Sequence, residues 1–482
     1  MNSLYGFISF HPEAFSLTVA TLLHIGLSIL ITGHILLHKK DIKSSIGWIG
    51  LVWLSPLVGS VCYVFFGINR ITRKALSMRR KGPESSGSLA AAAGELLETL
   101  PRESARFLKF GYAVHPQEFT FGNSVTPLQN GDEAYPAMLA EIENAKKEIL
   151  FSSYIFNNDR AGSMFLAPLR AAAERGVKVK VLVDGVGVRY GKPTIEKEFR
   201  KTRDLGFELF LPIHAPFALP FFNLRSHRKL IVIDGHTSFI GGMNIAEGNL
   251  LKTEPAFGIQ DITFRVKGPV TGQIARIFEE DWFFASGKKF RPEAVRDEKQ
   301  GFGDIACRAI PDGPDSDIGK IEWMLLGAIA CAEEKITIVT PYFLPDANML
   351  SAIRVAAMRG VEVELILPLK SNIYGMDWAM ESNFAALLAS GVKIWQAPPP
   401  FDHSKIAVVD GQWSFVGSAN WDVRSLRLNF EANLECLSGE FAAKLLKTAE
   451  DKKRSAALLK HKKHGLWRVL RNNAFRLLTP YY

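Results

Sequence analysis

Two apolar patterns follow one another along the chain. Near the amino terminus, residues 15–37 and 46–66 form long apolar runs, and the first contains no acidic residue, Lys or Arg. A run of this length can cross a hydrocarbon core of about 30 Å as a helix. Further along, short β-branched runs alternate with amphipathic segments. The pattern predicts two transmembrane helices within residues 1–69, followed by an α/β globular region.

A cleaved signal peptide is the other interpretation of the first run. It would need Lys or Arg before the apolar stretch and a small-residue cleavage site after it. No Lys or Arg precedes the run, which leads instead into His38-Lys39-Lys40. In the second run, Pro56 and Gly59 predict a kink, which a membrane helix tolerates when its partner packs closely. Trp48 and Tyr63 near its ends are typical of membrane interfaces.

The globular region contains an internal repeat. A basic flank and linker (70–119), rich in small and polar residues from 82 to 104, leads into it. Each copy of the repeat has the order strand, amphipathic helix, strand, which predicts a largely parallel sheet covered by helices. We therefore expect two related α/β/α domains, 120–300 and 301–445, and then a basic amphipathic tail, 446–482. The matching segments are AKKEILFSSYIF (145–156) with AEEKITIVTPYF (332–343), and AAAERGVKVKVLVD (171–184) with VAAMRGVEVELILP (355–368).

A hairpin motif occurs once in each copy. A His, and a Lys two residues later, open a short apolar run that ends in an Asp-Gly turn, and a second apolar run leads to Gly-Gly-x-Asn or Gly-Ser-x-Asn. Two apolar runs around an Asp-Gly turn predict a two-stranded hairpin. The motif positions are His227, Lys229, Asp234 and Asn244 in the first copy, and His403, Lys405, Asp410, Ser418 and Asn420 in the second.

These side chains have the chemistry of a phosphate site. Residues two apart on a strand point to the same face, so the His and Lys of each copy project together, as do Ser418 and Asn420. An imidazole, a fixed cation and neutral donors at one point suit attack on phosphorus and stabilisation of its oxygens. A charged strand end before an Asp-Gly turn explains a single copy equally well. Two copies with the same extension argue against that coincidence.

The duplicated motif resembles the phospholipase D superfamily, in which an H-K-D motif normally comes from each half of the active site. The resemblance implies two phospholipase D-like domains that pack with pseudo-twofold symmetry and bring His227 and His403 to one seam. It also implies in-line displacement through a phosphohistidine, with no metal and no cofactor. One His attacks phosphorus, and the other acts first as acid and then as base. The further residues implied are Lys229 and Lys405 in the catalytic set, with Asn244, Ser418 and Asn420 as phosphate-binding side chains.

The two motif aspartates need a separate interpretation. Asp234 and Asp410 belong to the catalytic motif, but they follow their histidines by seven residues, an odd offset that turns them away from the phosphate. We expect them to fix the turn or the contact between the halves. A histidine base usually has a carboxylate behind it, and the resemblance assigns this orienting role to Glu431 in the second half and Asp261 in the first. Gly242 departs from Gly-Ser-x-Asn, so the first copy lacks the motif hydroxyl.

Wider features are similar to bacterial cardiolipin synthases over nearly the whole chain. They are the membrane hairpin, PYFLPD (341–346), GSANWDVRSLRLNFE (417–431) and the tail ending LWRVLRNNAFRLLTPYY. The resemblance implies that two phosphatidylglycerols are joined into cardiolipin with release of glycerol, with phosphatidylglycerol and anionic membrane lipids as partners. The alternatives are a membrane-bound phospholipase D that admits water, a phosphodiesterase-type nuclease, and a non-catalytic membrane adaptor.

The net charge, the cysteines and the distribution of basic residues indicate which partners and which cellular location to expect. A net charge of +9 suits an anionic partner, and the two spans favour lipid, so we expect no nucleic acid. The four cysteines are scattered without a CxxC pair, which predicts neither a disulfide framework nor a zinc site. Basic residues are more numerous after the second span than between the spans. This predicts a multi-pass protein of the bacterial inner membrane with cytoplasmic catalytic domains.

Two further segments are candidates for lipid contact. Residues 212–225 place an apolar, aromatic loop directly before His227, and the loop fits a lipid entrance or a core-packing role. Residues 461–478 fit an interfacial helix on anionic lipid and fit docking onto the protein equally well. The apolar residues that share one helical face in this tail are Leu466, Trp467, Leu470, Ala474, Leu477 and Leu478.

Overall fold

The computed structural model describes residues 12–39, 42–55, 57–67, 104–212, 224–253, 258–293, 301–314, 317–461 and 464–479. The chain divides into two compact units, 1–74 and 75–482. Nearly all of the predicted linker (82–104), the basic flank before it and most of the loop 212–225 lie outside the described residues.

The first unit contains one long helix and a broken second segment. Its elements are α1 (Pro12–His38), α2 (Ile42–Leu54), α3 (Val58–Cys62) and a π-helical turn (Tyr63–Gly67). Among the described residues, one helix, over Thr18–His38, is long and apolar enough to cross a membrane. The second predicted span, 46–66, is interrupted between Leu54 and Val58, the place at which the sequence predicts a kink. The chain turns back after α2, and a Cβ on Gly59 would collide with the backbone of Leu51 and Val52.

The described part of this unit is held together by contacts between α1 and the second segment. His34 Nδ1 lies 2.8 Å from the Tyr63 hydroxyl, and the Trp48 and Tyr63 rings meet edge to face at 5.5 Å. Trp53 Nε1 donates to the Thr32 hydroxyl at 3.1 Å. Tyr63 is thus buried between the helices, which corrects its predicted place in an interfacial belt.

The second unit is built on one large sheet of fifteen strands, and the described residues form two further sheets of two strands each. The strands of the first half are β1 (Thr120–Gln129), β2 (Glu148–Ser153), β3 (Lys178–Asp184), β4 (Leu205–Phe210), β5 (Leu230–Ile233), β6 (Thr237–Gly241), β7 (Ile259–Gln260) and β8 (Ile262–Lys267). Those of the second half are β9 (Ile305–Asp312), β10 (Lys335–Val339), β11 (Phe343–Leu344), β12 (Glu362–Pro368), β13 (Lys393–Ala397), β14 (Phe401–Asp402), β15 (Ile406–Val409), β16 (Trp413–Gly417), β17 (Trp421–Asp422), β18 (Glu431–Leu437) and β19 (Ala457–Leu458).

Helices cover the sheet in both halves. In chain order they are α4 (Ala105–Val114), α5 (Asn130–Asn144), α6 (Arg160–Glu174), α7 (Glu196–Arg200), α8 (Thr271–Ser286), α9 (Lys320–Cys331), α10 (Ala347–Met358), α11 (Met376–Ala389), α12 (Val423–Arg427), α13 (Gly439–Lys453) and α14 (Leu466–Arg476).

The strand order repeats outward from the centre of the sheet. One half has the order β1-β8-β6-β5-β2-β3-β4, and the other has β9-β18-β16-β15-β10-β12-β13, with β19 at its edge. The central strands β1 and β9 pair antiparallel and join the halves. The two halves therefore have the same topology, and the α/β fold with pseudo-twofold symmetry is confirmed.

The prediction of a largely parallel sheet holds only for the outer strands. In each half three strands are parallel, β2-β3-β4 and β10-β12-β13. The predicted hairpins, β5-β6 and β15-β16, enter the same sheet antiparallel. A tight turn can join only antiparallel neighbours, so the hairpins extend the parallel segment into a mixed sheet.

Apolar cores lie on both faces of the sheet. Along β2, Leu150 belongs to a core that includes α8 and α13 and spans both halves. Its neighbours Ile149 and Phe151 belong to a separate core beneath α5 and α6, as alternating strand side chains require. In the second half, α9, α10 and α11 cover the equivalent core. The arrangement is the helix–sheet–helix layering expected from the repeat.

Candidate active site

The two motif histidines meet at the seam between the halves. The His227 and His403 rings lie 6.4 Å apart between centroids, at an interplanar angle of 85°. Each precedes the first strand of its hairpin, β5 or β15, and both line a cavity of about 590 Å³ to which both halves contribute. The pair can therefore reach one group bound between them, as the repeat predicts.

Each imidazole is hydrogen-bonded to a carboxylate of the opposite half. His227 Nδ1 lies 3.0 Å from Glu431 Oε1 and 3.1 Å from Oε2. His403 Nδ1 lies 2.8 Å from Asp261 Oδ2. Both carboxylates are buried. Because Nδ1 is held in this way, Nε2 is the ring nitrogen left for chemistry on each histidine.

Main-chain hydrogen bonds also connect the two halves at both histidines. His227 N donates to the Phe430 carbonyl at 2.9 Å, and His403 N donates to the Gln260 carbonyl at 2.7 Å. Each carbonyl belongs to the residue immediately before the orienting carboxylate. These main-chain hydrogen bonds fix the position of each histidine relative to a carboxylate that is remote in sequence.

Glu431 accepts hydrogen bonds from three further buried side chains. Ser418 Oγ donates at 2.5 Å, Ser425 Oγ at 3.0 Å and Asn429 Nδ2 at 3.2 Å. Ser418 Oγ also accepts from Ala432 N at 3.0 Å. The Ser418 hydroxyl is thus engaged with the carboxylate behind His227, whereas the resemblance assigned it to phosphate.

The glycine that replaces this serine in the first half leaves room for Asp261. A Cβ on Gly242 would lie 2.8 Å from both Asp261 carboxylate oxygens and 3.1 Å from Lys405 Nζ. Contacts below 3.0 Å force the neighbours to shift. Gly242 therefore has a steric function, and the missing hydroxyl of the first motif has a structural reason.

The two motif lysines are buried beside the histidines. Lys229 Nζ donates to the His227 carbonyl at 2.7 Å, and Lys405 Nζ donates to the His403 carbonyl at 2.5 Å. Burial lowers the pKa of Lys405 to about 8 and that of Lys229 well below its usual value. The two lysines are therefore buried together with the histidines and the orienting carboxylates Glu431 and Asp261.

Burial also sets the protonation of the histidines. It lowers the pKa of both His227 and His403 to about 4, although Glu431 and Asp261, respectively, act in the opposite direction. Burial would raise the pKa of Glu431, but His227, Lys229 and Ser418 outweigh it and lower that pKa. Neutral imidazoles, with an ionised Glu431 beside His227, are therefore the favoured forms at neutral pH.

The motif asparagines line the cavity. Asn244 Oδ1 accepts from Ile155 N at 3.1 Å, which leaves its amide group as a donor. Asn420 Nδ2 donates to Ser425 Oγ at 3.2 Å. Both asparagines follow the second strand of their hairpins, β6 and β16.

The motif aspartates point away from this cavity. Asp234 accepts hydrogen bonds from the amides of Lys146, Lys147 and Glu148 at 2.7–2.9 Å. Asp410 accepts from the amides of residues 333–335 at 2.8–2.9 Å and from Arg106. Each therefore joins the hairpin turn to the start of β2 or β10, the side of the turn that strand parity predicts.

Comparison with known proteins gives the family. A family model described as "Cardiolipin synthase, PLD-like domain" matches residues 138–282 and 325–452. The chain is 30% identical over 461 residues to a cardiolipin synthase of Geobacillus kaustophilus (strain HTA426), covering 92% of this chain and 90% of that protein. It is also 30% identical to the major cardiolipin synthase ClsA of Bacillus subtilis (strain 168), covering 96% and 98%. The chain belongs to the cardiolipin synthase family.

A solved structure supports the fold of this family member. The phosphatidylserine synthase of Haemophilus influenzae Rd KW20 superposes with a TM-score of 0.60 at 17% identity, covering 82% of this chain and all of that one. Within the described residues, no group of three or more His, Cys, Asp or Glu is placed to hold a metal ion.

Sequence reasoning missed several side chains of the cardiolipin synthase site. Tyr154 lies edge-on to His227 with ring centroids 5.3 Å apart, and Tyr342 lies edge-on to His403 at 6.0 Å. The repeat carried part of this signal, because each matched segment has a tyrosine just after its strand, although Tyr342 lies one position further along its segment than Tyr154 does. Arg424 also lines the cavity. Arg228 is buried and bonds Asp281 as well as the carbonyls of Glu431 and Asp312, a role that needs the tertiary fold to be visible.

Proposed function

We propose that this chain is a cardiolipin synthase that transfers a phosphatidyl group from one phosphatidylglycerol to another. The observation that carries the proposal is the histidine pair, which lies 6.4 Å apart between ring centroids with each Nδ1 held by a buried carboxylate. That arrangement leaves two Nε2 atoms beside one cavity. Family membership directs the choice among phosphodiester reactions.

The first step forms a bond between histidine and phosphorus. His227 Nε2 attacks the phosphorus of one phosphatidylglycerol, and the bond from phosphorus to the headgroup glycerol oxygen breaks. His403, protonated, gives its proton to the departing alkoxide, and free glycerol leaves. We assign the attack to His227 by analogy with the family.

The second step transfers the phosphatidyl group to an alcohol. The terminal headgroup hydroxyl of a second phosphatidylglycerol attacks the phosphorus, and neutral His403 takes its proton. The bond from His227 to phosphorus breaks, and cardiolipin results. One primary-alcohol phosphodiester replaces another, so the exchange needs no nucleotide or other energy source.

The surrounding charges support both steps. A bound phosphodiester brings a negative charge to a site that contains two lysines and two carboxylates, and this charge favours the protonated forms of the lysines and of the neighbouring imidazole. Lys229, Lys405, Asn244 and Asn420 are proposed to stabilise the phosphoryl oxygens. Ser418 is proposed to act indirectly, because it fixes Glu431.

We also propose a place for the catalytic region relative to the membrane. α1 crosses the bacterial inner membrane, and α2 with α3 forms the second arm of a multi-pass anchor. The Arg and Lys residues that follow in the sequence favour a cytoplasmic location for the catalytic halves. Labelling of single introduced cysteines in intact and in opened cells tests this topology, and periplasmic labelling of the catalytic halves would contradict it.

Incubation of the detergent-solubilised chain with labelled phosphatidylglycerol tests the reaction itself. The proposal predicts cardiolipin and glycerol in equal amounts. Phosphatidic acid without cardiolipin would instead identify a membrane-bound phospholipase D, and salt-sensitive DNA cleavage without lipid turnover would identify a nuclease. A chain with Lys229→Met is the inactive reference for each assay.

A further inference from the structure

The carboxy-terminal helix α14 docks on α11 by its polar side. Glu381 of α11 accepts hydrogen bonds from Asn472 Nδ2 at 2.8 Å and from Arg468, and it lies 3.3 Å from His464 Nε2. Burial would raise the pKa of Glu381, but the hydrogen bonds from Arg468 and Asn472 outweigh it and lower that pKa. An ionised carboxylate thus anchors the helix.

An aromatic contact completes the docking. The Phe475 ring packs edge-on against Trp378 at 4.7 Å and Tyr374 at 5.9 Å. The Arg471 guanidinium lies 4.4 Å from the Trp378 ring centroid. The docked side of α14 is therefore formed by Arg468, Arg471, Asn472 and Phe475.

The opposite side of α14 is apolar and faces away from the protein. Leu466 is 71% exposed, Trp467 83%, Leu470 50% and Leu477 77%. At 3.6 residues per turn these four side chains share one face. A helix on a globular protein normally turns its apolar stripe inward and its polar face outward, so the orientation of α14 is inverted.

The charge around this face indicates what covers it. From residue 452 to the end of the sequence there is no Asp or Glu, whereas Lys and Arg recur throughout. Lys460, which precedes α14 in the sequence, and Arg476, its last residue, are both exposed. An apolar face that carries Trp and Leu and is flanked by cations suits the surface of an anionic bilayer.

The same surface is connected to the cavity of the candidate active site. Asn372 and Ile373, in the loop between β12 and α11, line that cavity. The next residue, Tyr374, is exposed and contacts Phe475 of α14. The contact between Tyr374 and Phe475 therefore connects α14 to a segment of the cavity wall.

We propose that the exposed face of α14 (Leu466, Trp467, Leu470 and Leu477) inserts into the interfacial layer of an anionic membrane, while its polar face stays docked on α11. The helix then holds this edge of the catalytic region at the surface that supplies its lipid substrates. The surface contact rests on α14 alone, and only its benefit to catalysis rests on the proposed function.

Tryptophan quenching by lipid tests the insertion directly. The full-length chain is reconstituted in phosphatidylglycerol vesicles with or without brominated acyl chains, and the difference between the parent and Trp467→Phe isolates the Trp467 signal. Trp323, 59% exposed on α9, gives a matched control through Trp323→Phe. We expect brominated lipid to remove about half or more of the Trp467 signal, as a depth of 5–10 Å implies, and to leave the Trp323 signal nearly unchanged.

Two results would overturn the proposal. Quenching of Trp467 by aqueous acrylamide but not by brominated lipid would show that the face stays in water. Protection from both quenchers would show that a second copy or another protein covers it. Neither result depends on catalytic activity, so failure of the insertion and failure of the proposed reaction are distinguishable.

A kinetic comparison measures the benefit to catalysis. The double variant Leu470→Glu/Leu477→Glu and the control Val355→Glu/Met358→Glu, which changes two exposed apolar residues of α10, are assayed on phosphatidylglycerol in vesicles and on monomeric short-chain phosphatidylglycerol. We expect the ratio of vesicle rate to monomer rate to fall about tenfold in the double variant and to hold in the control. An unchanged ratio in the double variant would contradict the role of α14 in lipid access.

Discussion

Glu431 of the second half holds Nδ1 of His227 of the first half, with both carboxylate oxygens within 3.1 Å of that nitrogen. In the reciprocal pair, Asp261 of the first half holds Nδ1 of His403 of the second half. Neither half therefore contains a histidine with its own orienting carboxylate. The active site exists only when the halves are packed, which gives the pseudo-twofold seam a chemical function.

Each of the two orienting carboxylates should therefore be needed for full activity. We expect Glu431→Gln and Asp261→Asn each to lower the turnover of phosphatidylglycerol by about 100-fold or more, because loss of the carboxylate behind a catalytic histidine allows the wrong tautomer and can lower kcat by about 10⁴-fold. The variants should also change the pH profile of kcat, because the imidazole loses the charge that favours its protonated form.

The exposed Glu440 supplies the control for the carboxylate experiment. Glu440→Gln removes a carboxylate of the same type that pairs with Lys444 at the surface and should leave rate and pH profile unchanged. Loss of activity in Glu431→Gln with an unaltered pH profile would point to a packing role for the carboxylate and against an orienting one.

Gly242 should be sensitive to the smallest substitution. Gly242→Ala places a methyl group 2.8 Å from both Asp261 oxygens, so Asp261 must move from His403. We expect a loss of activity of about tenfold or more, because a small misplacement of a catalytic group has a large effect on rate. Gly465→Ala is the matched control, since no heavy atom lies within 4 Å of its added Cβ. Equal activity of the two variants in the phosphatidylglycerol assay would refute the steric role of Gly242.

Substitution of a motif aspartate should lower stability, whereas substitution of a motif histidine should abolish activity. Asp234→Asn weakens three hydrogen bonds from backbone amides, so we expect a loss of about 1–3 kcal/mol in the free energy of unfolding and a lower folded yield. His227→Ala and His403→Ala should abolish turnover of phosphatidylglycerol. Thermal unfolding of the detergent-solubilised proteins, with specific activity per folded molecule, checks both statements. A fully folded but inactive Asp234→Asn protein would rule out the structural assignment.

The stability of the folded protein should decrease as the pH is lowered, because of the two buried histidines. Burial lowers the pKa of His227 and His403 from 6.5 to about 4, so the unfolded chain binds more protons between these values. Their contribution to stability is complete above pH 6.5 and is lost as pH falls through about 4. The double variant His227→Asn/His403→Asn should therefore lose less thermal stability on acidification than the parent. The exposed-site variant His236→Asn should behave like the parent, and identical pH dependence in all three would contradict the assignment.

Local pattern predicted the parts of the site that lie on single strands. The positions of His227 and His403, and the orientation of Asp234 and Asp410, follow from strand parity and the Asp-Gly turns. The exchange of Glu431 and Asp261 between halves did not follow, because it depends on contacts such as the bond from His227 N to the Phe430 carbonyl. Strand parity likewise cannot show that Ser418 bonds a carboxylate.

The same distinction holds for the fold and the membrane segments. The internal repeat predicted two related halves, but the mixed character of the sheet depends on how the hairpins join the parallel strands. Apolar length predicted α1, and Pro56 with Gly59 predicted a kink in the second segment, but the close approach of Gly59 to the backbone of α2 depends on the tertiary fold. The tail pattern left two orientations open for α14, and the bonds to Glu381 determine which side docks.

Trapping the covalent phosphatidyl adduct tests the central claim most directly. The chain is mixed with labelled phosphatidylglycerol, quenched in denaturant at alkaline pH during turnover, digested, and the modified peptide is located by mass. The histidine-pair mechanism predicts the phosphatidyl increment on His227, and its absence from His227→Ala. An adduct on a residue outside the His227–His403 pair, or turnover without any adduct on either histidine, would contradict it.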